Sequence, residues 1–176
     1  MLAVLCIVAA IAQLGMRRNE RSGQLRRFVA DVHGAVVRAR HRAIDEQHPV
    51  LIEVDATSLL SYAWDPLSDD WISFDRVELD ERRTGLLLHD GVCIEALQPG
   101  VRAPSQAEWT PPPSGCLDDT RALRFEPDGS LAEDGGVVSD AGTTLWIGDR
   151  RTTGEPRHAL VQVFPGGLIR VFEDVR

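Results

Sequence analysis

The chain has 176 residues, enough for one ordinary domain with an appended element and for a core that needs no structural metal. Hydrophobic residues make up 43% of it and charged residues 26%, a composition that argues against wholesale disorder. The formal net charge of −8 is divided unevenly, because residues 17–46 are arginine-rich and the remainder is acidic and repels phosphate backbones, so no nucleic-acid partner is expected.

Residues 1–16 form an apolar, uncharged segment that predicts a helix in the membrane. A helix of this length spans about 24 Å, short of the roughly 30 Å of a hydrocarbon core. A signal peptide is the alternative, but its basic region and its small-residue cleavage site are both missing. The residues that would face lipid, and neighbouring helices after assembly, are Leu2, Val4, Leu5, Ile7, Val8, Ile11 and Leu14.

The helical pattern continues past the first arginines. Apolar residues recur at spacings of three and four and form one stripe of an amphipathic helix: Leu25, Phe28, Val29, Val32, Val36, Ala39 and Ala43. We expect this stripe to pack partly on the chain's own head and partly on adjoining subunits. No proline precedes Pro49, so a single helix about 70 Å long is predicted, with a short anchor followed by an unrelated surface helix as the alternative. The expected division is a helix over residues 1–47 and a head over residues 48–176.

After Pro49 the pattern becomes extended, which predicts an antiparallel, β-rich head and an α+β fold with the long helix packed on it. Residues 99–119 are rich in proline, serine and glycine and predict a long loop, and Pro165-Gly-Gly predicts a tight hairpin. The predicted strands are 50–55, 59–64, a weaker one at 71–74, 86–88, 92–97, 123–125, 143–147, 159–164 and 168–172.

Candidate chemistry in the head is sparse. The GxSxG, HExxH, P-loop and GxGxxG patterns are all missing, so we expect no enzyme, no cofactor and no metal site. The histidines lack partner spacing, and Asp128-Gly129 and residues 133–136 lack the alternating ligands of a calcium loop. Four tryptophans, Trp64, Trp71, Trp109 and Trp146, could form a sugar platform, but three lie in predicted strands, where packing is their usual role.

Two cysteines lie in the head, Cys93 and Cys116. They could form a disulfide if the head is exported, or they could remain two separately buried thiols. A third, Cys6, lies in the apolar segment.

Four segments together resemble the type IV pilin and pseudopilin superfamily, and within it the GspH/FimT group of minor pseudopilins and pilins. They are MLAVLCIVAAIA at residues 1–12, ARHRAIDEQHPVLIEV at residues 39–54, LRFEPDG at residues 123–129 and GGLIRVFE at residues 166–173. Family members begin with a basic leader and a processing site, a glycine followed by Phe-Thr-Leu-Ile-Glu, and both are absent from this chain. Five further residues would extend the apolar helix to about 30 Å, so we expect the natural start to lie upstream of Met1.

The resemblance implies a minor pseudopilin at or near the tip of a type II secretion pseudopilus. Such a subunit would be a single-pass inner-membrane protein with its head in the periplasm, and other pseudopilins would be its partners. Three alternatives remain: a FimT-like minor pilin of a type IV pilus, some of which take part in DNA uptake; a membrane-tethered β-sandwich that binds a sugar or peptide; and a membrane-anchored hydrolase.

Overall fold

The computed structural model describes residues 2–78, 91–101, 115–132, 139–150 and 157–175, with side chains described between residues 23 and 173 of these ranges. One helix, α1 (Leu2–Glu46), precedes all the strands. The strands of the described ranges are, in chain order, β1 (Val50–Val54), β2 (Ser58–Asp65), β3 (Asp70–Glu78), β4 (Val92–Pro99), β5 (Arg121–Phe125), β6 (Leu131–Ala132), β7 (Thr143–Asp149), β8 (Arg157–Val163) and β9 (Ile169–Val175).

Helix α1 is continuous, as the sequence predicts, so the alternative of two unrelated helices does not hold. It ends because Gln47 adopts a left-handed conformation with a φ of 55°. The Gln47 side-chain amide also donates to the carbonyl oxygen of Ile44 at 2.6 Å, which satisfies one of the last carbonyls of the helix. Pro49 follows and cannot continue a helix.

The strands form two sheets in which neighbouring strands are antiparallel. The first sheet has the order β3-β2-β1-β5-β6 and the second the order β4-β7-β8-β9. The β8–β9 hairpin turns at Pro165-Gly-Gly, where the Phe164 amide donates to the Leu168 carbonyl at 2.8 Å. The predicted fold class, a long helix on an antiparallel β-rich head, is confirmed.

The core lies between the helix and the two sheets. All seven residues of the apolar stripe are buried, with exposures from 0% to 5%, and Ala35 joins them at 1%. Facing them are alternate residues of the strands, such as Val50, Ile52 and Val54 of β1. Burying one large aliphatic side chain contributes about 1.5–3 kcal/mol, so the contact between helix and sheets is a principal source of the head's stability.

Most predicted strands are present, with ends shifted by at most three residues. The weak strand at 71–74 is longer than predicted because its second half pairs with β2, placing Val77 opposite Leu59. Strand β6 was missed, since two residues show no alternation. The strand expected at 86–88 lies outside the described residues, as does most of the loop 99–119, although Pro99 itself ends β4.

The predicted membrane segment is only partly described. Its backbone is helical from residue 2 onward, whereas the side chains of the seven residues expected to face lipid lie outside the described part. Within the part of the chain whose side chains are described, no helix is long and apolar enough to cross a membrane.

Candidate assembly surfaces

The apolar stripe of α1 faces the chain's own head. Because its seven residues are at most 5% exposed, they have almost no surface left for a neighbouring subunit. Any contact between subunits in this region therefore has to use the opposite face of α1. Exposed residues of α1 outside the stripe include Arg26, Arg27, Ala30, Asp31, Arg38 and His41.

Arginines on the flanks of α1 bind the outer strands of both sheets. Arg38 donates to one carboxylate oxygen of Asp75 in β3 through Nε at 3.0 Å and through an NH2 group at 2.7 Å. Arg26 pairs with Glu173 of β9 at 3.1 Å. The guanidinium of Arg42 lies 4.1 Å from the ring centre of Phe74. These arginines lie off the apolar stripe, and nothing in the sequence indicates that they join the helix to the sheets.

Arg40 joins the helix to two turns, one from each sheet. Its Nε donates to the carbonyl oxygen of Gly129, 3.1 Å away, in the turn between β5 and β6. Gly129 has a φ of +80°, and a Cβ built there would lie 2.6 Å from Cδ1 of Ile44. Gly167, in the turn between β8 and β9, has a φ of +78°, and a Cβ there would lie 2.0 Å from the Gly129 oxygen. Both positions thus require glycine.

The contacts around Arg40 bring together three of the four segments that carry the family resemblance. Residues 39–54, 123–129 and 166–173 are far apart in sequence, yet they meet at Arg40, Gly129 and Gly167. The two sheets are also linked here, because the Leu131 amide donates to the Pro165 carbonyl at 2.9 Å. Asp128 shapes the same turn by accepting from the Ser130 hydroxyl at 2.6 Å, and this bond lowers the Asp128 pKa. Asp128 therefore acts as a turn residue.

Cys93 and Cys116 form a disulfide, with an S–S distance of 2.12 Å and Cα atoms 5.7 Å apart. The alternative of two free thiols is thereby excluded. The Leu117 amide donates to the Ile94 carbonyl at 2.8 Å, so the segment beginning at residue 115 is fastened to the edge of β4 by a covalent bond and a hydrogen bond.

A buried polar cluster lies beside the disulfide and was not predicted. The Glu95 side chain is 1% exposed, and its two carboxylate oxygens contact Arg150 Nε at 3.0 Å and His158 Nδ1 at 2.9 Å. Gly148 makes room for the carboxylate, since a Cβ there would lie 2.2 Å from it. A lone glutamate in a strand carries no pattern that reveals such burial, and its partners Arg150 and His158 lie more than 50 residues away along the chain.

Glu95 also lines a cleft of about 420 Å³ between β4 and residues 115–121. The described residues that line this cleft include neither a hydroxyl nor a free thiol. Arg150 and His158 already occupy the Glu95 oxygens. The cluster thus joins β4 to β8 and to the residue that follows β7.

The remaining candidate residues are separated from one another. Trp64 and Trp71 form an edge-to-face pair with ring centres 5.4 Å apart, whereas Trp146 contacts His158 on the second sheet. Trp109, His89 and residues 133–136 lie outside the described residues. Among the described side chains, no group of three or more histidine, cysteine, aspartate or glutamate residues is arranged to hold a metal ion.

The end of the head at which α1 stops, here called the distal end, carries the exposed large apolar residues of the described structure. Leu67, in the turn between β2 and β3, is 95% exposed, Ile72 of β3 is 52% exposed, and Leu168 is 52% exposed. The β2–β3 turn is placed at this end by the Trp64 amide, which donates to the Pro49 carbonyl at 3.1 Å. Exposed apolar residues gathered at one end indicate an interaction surface.

Comparison with solved structures identifies the fold. Two structures of the minor pseudopilin EpsH from the type II secretion system of Vibrio cholerae superpose with TM-scores of 0.54 and 0.51, each at 12% identity. The two alignments cover 88% and 82% of this chain and 96% and 93% of the EpsH chains. The type IV minor pilin FimU of Pseudomonas aeruginosa superposes with a TM-score of 0.50 at 14% identity, over 91% of this chain and 93% of FimU.

No protein-family model matches the sequence, and no curated protein matches it. At identities this low the structural likeness establishes the fold alone. That fold is the one the four sequence segments imply, the fold of GspH/FimT-like minor pseudopilins and pilins.

Proposed function

We propose that the chain is a minor pseudopilin of a type II secretion pseudopilus, assembling at or near the filament tip to support protein export. The observation that carries this proposal is the likeness to EpsH, which extends over both the helix and the head and covers 96% of one EpsH chain. The work of such a subunit is assembly. We accordingly propose that it is not an enzyme and that it uses no cofactor.

Helix α1 has two parts of different character, and this difference supports an assembly role. From Leu25 onward the helix buries its apolar stripe in the head. The uncharged apolar segment 1–16 precedes that stripe in the chain. We propose that this segment anchors the subunit in the inner membrane in a single pass and packs against the helices of other pseudopilins in the filament.

The disulfide supports an exported head. Disulfides persist in oxidising compartments such as the bacterial periplasm and are rare in the cytosol. The Cys93–Cys116 bond is therefore consistent with a head in the periplasm.

Deletion of the gene in its own bacterium tests the proposal. We expect the deletion to abolish release of folded proteins into the medium while surface pili remain, and the full-length chain to restore release. A matched chain lacking residues 2–16 keeps every described core residue and should fail to restore it. Normal secretion in the deletion strain would contradict the proposal.

A minor pilin of a type IV pilus is the second candidate, favoured by the likeness to FimU. The same deletion strain separates the two functions, because a minor pilin would reduce pilus assembly and leave secretion intact. If neither process changes, a membrane-tethered binding module becomes the better interpretation.

A further inference from the structure

The two cysteines of the Cys93–Cys116 disulfide differ in their access to solvent. Cys93 lies in β4 and is 3% exposed, whereas Cys116 lies in the segment that precedes β5 and is exposed. A Cβ built on Gly115 would meet no atom within 4 Å beyond its chain neighbours, so the space beside Cys116 is open. Thiol–disulfide exchange begins when a thiolate attacks one of the two sulfurs, and its rate depends on access to that sulfur. An external thiolate therefore reaches Cys116 far more readily than Cys93.

The disulfide also fastens residues 115–120, which lead into the first sheet. Cys93 belongs to β4, an outer strand of the second sheet, and residue 120 is followed directly by β5 of the first sheet. The hydrogen bond from the Leu117 amide to the Ile94 carbonyl oxygen, at 2.8 Å, is a second link between this segment and β4. A single backbone hydrogen bond makes only a modest net contribution to stability. Opening the disulfide would thus leave the segment weakly held at the edge of β4.

The cleft between β4 and residues 115–121 has an acidic opening. Cys116 lines this cleft, and the ionisable side chains among its described lining residues are Glu95, Asp118, Asp119 and Arg121. Glu95 is already paired with Arg150, so two exposed aspartates remain against the single guanidinium of Arg121. A negatively charged site repels an incoming anion and attracts a cation. The charge of a thiol should therefore influence how fast it reaches Cys116.

We propose that Cys116 is a thiol–disulfide exchange site that favours thiols without a negative group of their own. The incoming thiolate attacks Sγ of Cys116 and forms a mixed disulfide with it. The bond to Cys93 breaks, and its electron pair leaves on the Cys93 sulfur, which takes a proton from water. A second thiol then releases Cys116, so the protein disulfide is reduced to two thiols while two external thiols are oxidised to one disulfide. An external disulfide closes the bond by the reverse steps.

Exchange at Cys116 changes the edge of β4. It releases residues 115–120 from this strand and opens the cleft beside Glu95, whereas the core between the helix and the sheets stays closed. The inference concerns the head alone and does not rest on the proposed function. Its failure would therefore leave that function standing.

Trapping of the mixed disulfide tests which sulfur is attacked. The full-length chain with Cys6→Ala, in neutral dodecyl maltoside micelles, is mixed briefly with cysteamine and quenched with acid. The released thiols are capped with N-ethylmaleimide in denaturant, and mass spectrometry of the peptides locates both adducts. We expect cysteamine on Cys116 with maleimide on Cys93 to exceed the opposite arrangement about tenfold or more. Equal amounts of the two arrangements, or an excess of cysteamine on Cys93, would overturn the proposal.

Three small thiols of different charge test the selectivity of the site. They are cysteamine, which carries an ammonium group, neutral 2-mercaptoethanol, and anionic 2-mercaptoethanesulfonate. Each rate is expressed per thiolate and divided by the rate of the same thiol with bis(2-hydroxyethyl) disulfide, which removes differences in intrinsic reactivity. We expect the normalised rate of cysteamine to exceed that of the sulfonate about fivefold at low ionic strength, and the ratio to fall at high salt.

Charge-neutral variants test whether the cleft causes this selectivity. Asp118→Asn with Asp119→Asn should lower the ratio to about twofold or less, because both exposed carboxylates of the cleft are removed. Asp31→Asn, at an exposed position of α1, is the matched control and should leave the ratio unchanged. Equal normalised rates in the parent chain, or a ratio that persists in the double variant, would overturn the selectivity.

Amide hydrogen exchange tests the release of residues 115–120. The oxidised chain is compared with the chain reduced by dithiothreitol, and Cys116→Ser repeats the comparison without a reductant. We expect the Leu117 amide to exchange about tenfold faster or more once the disulfide is open, while the amides of β7 and β8 keep their protection. Unchanged exchange at Leu117 would show that the disulfide does not hold this segment, and lost protection throughout β7 and β8 would show that it holds the whole head. Either result would overturn the proposal.

Discussion

At the scale of single residues, the buried stripe of α1 sets the strongest constraint. Val36 is 0% exposed in the core between helix and sheets. The change Val36→Arg would bury a charge there without a partner, and we expect it to lower the free energy of unfolding of the isolated subunit by about 3 kcal/mol or more. The corresponding Ala30→Arg, on the exposed face of the same helix, should change it by less than about 0.5 kcal/mol.

Thermal unfolding of the two variants checks this prediction. Val32, also 0% exposed and one turn away, should behave like Val36. If Val32→Arg and Val36→Arg melt like the parent, the stripe is not buried in the subunit.

Three aspartates should make stability depend on pH in the acid range. For Asp128 the bond from the Ser130 hydroxyl lowers the pKa, and for Asp65 the bond from the Ser68 hydroxyl does so. At Asp55 burial raises the pKa, but bonds from Ser58 and Thr57 outweigh it, and the pKa is lowered overall. A lowered pKa means that the ionised carboxylate stabilises the folded state above the ordinary value of 3.8 and that this stability is lost as the pH falls through the lower folded value.

We therefore expect urea midpoints to fall as the pH drops below about 3.8, and the fall to be shallower when all three aspartates are changed to asparagine. Asp31→Asn, at an exposed position of α1, serves as the matched control and should leave the slope unchanged. An equal slope in the parent and in the triple variant would contradict the prediction.

At the scale of elements, the fastening of α1 to β3 is a feature that the sequence did not reveal. Arg38 lies off the apolar stripe and looks like a solvent residue, but its two bonds to Asp75 join the helix to the outermost strand of the first sheet. Arg38→Glu would place two carboxylates together. We expect a loss of about 1 kcal/mol of stability and faster amide exchange in β3, whereas Arg27→Glu should have neither effect. Equal exchange in both variants would show that β3 does not depend on this pair.

The junction of helix and turns gives a second prediction at this scale. Gly167→Ala would place a methyl group at a positive φ, against the Gly129 oxygen and the Arg40 side chain. The strain and the overlap together should cost about 2 kcal/mol or more. Gly166→Ala, one residue earlier, meets no atom within 4 Å and should be close to neutral. Chemical denaturation of both variants measures the difference, and similar midpoints would exclude a tight junction.

The elements themselves were largely predictable, and the contacts between them were not. Periodicity revealed the stripe from Leu25 to Ala43 because a helix buried on one face repeats every three or four residues. Alternation of apolar and polar residues revealed most strands, because a strand buried on one face repeats every two residues. The Glu95 cluster and the Arg40 junction depend on residues far apart in the chain, brought together by sheet order, and a single sequence contains no local signal for that order.

At the scale of the whole molecule, the apolar residues of the chain fall into two groups, the core of the head and the N-terminal segment 1–16. Every described residue of the main core lies at or after Leu25, where helix and sheets enclose it. The uncharged apolar residues 1–16 precede Leu25 in the chain and are the only comparable apolar stretch of the sequence. Solubility and self-association of the complete chain should therefore depend mainly on this segment.

The last prediction follows from this division. A chain cut after Arg21 keeps Leu25 and every other described core residue, so we expect its head to fold. It should be soluble and monomeric in dilute solution, because the cut removes the strongly apolar residues 1–16. Size-exclusion chromatography with light scattering measures the mass directly. Tyr62 and the Trp64–Trp71 pair supply near-ultraviolet circular dichroism as an independent check that the head is folded. A stable oligomer of the cut chain would show that the head assembles without α1's apolar segment, and it would contradict the assignment of assembly to the helix.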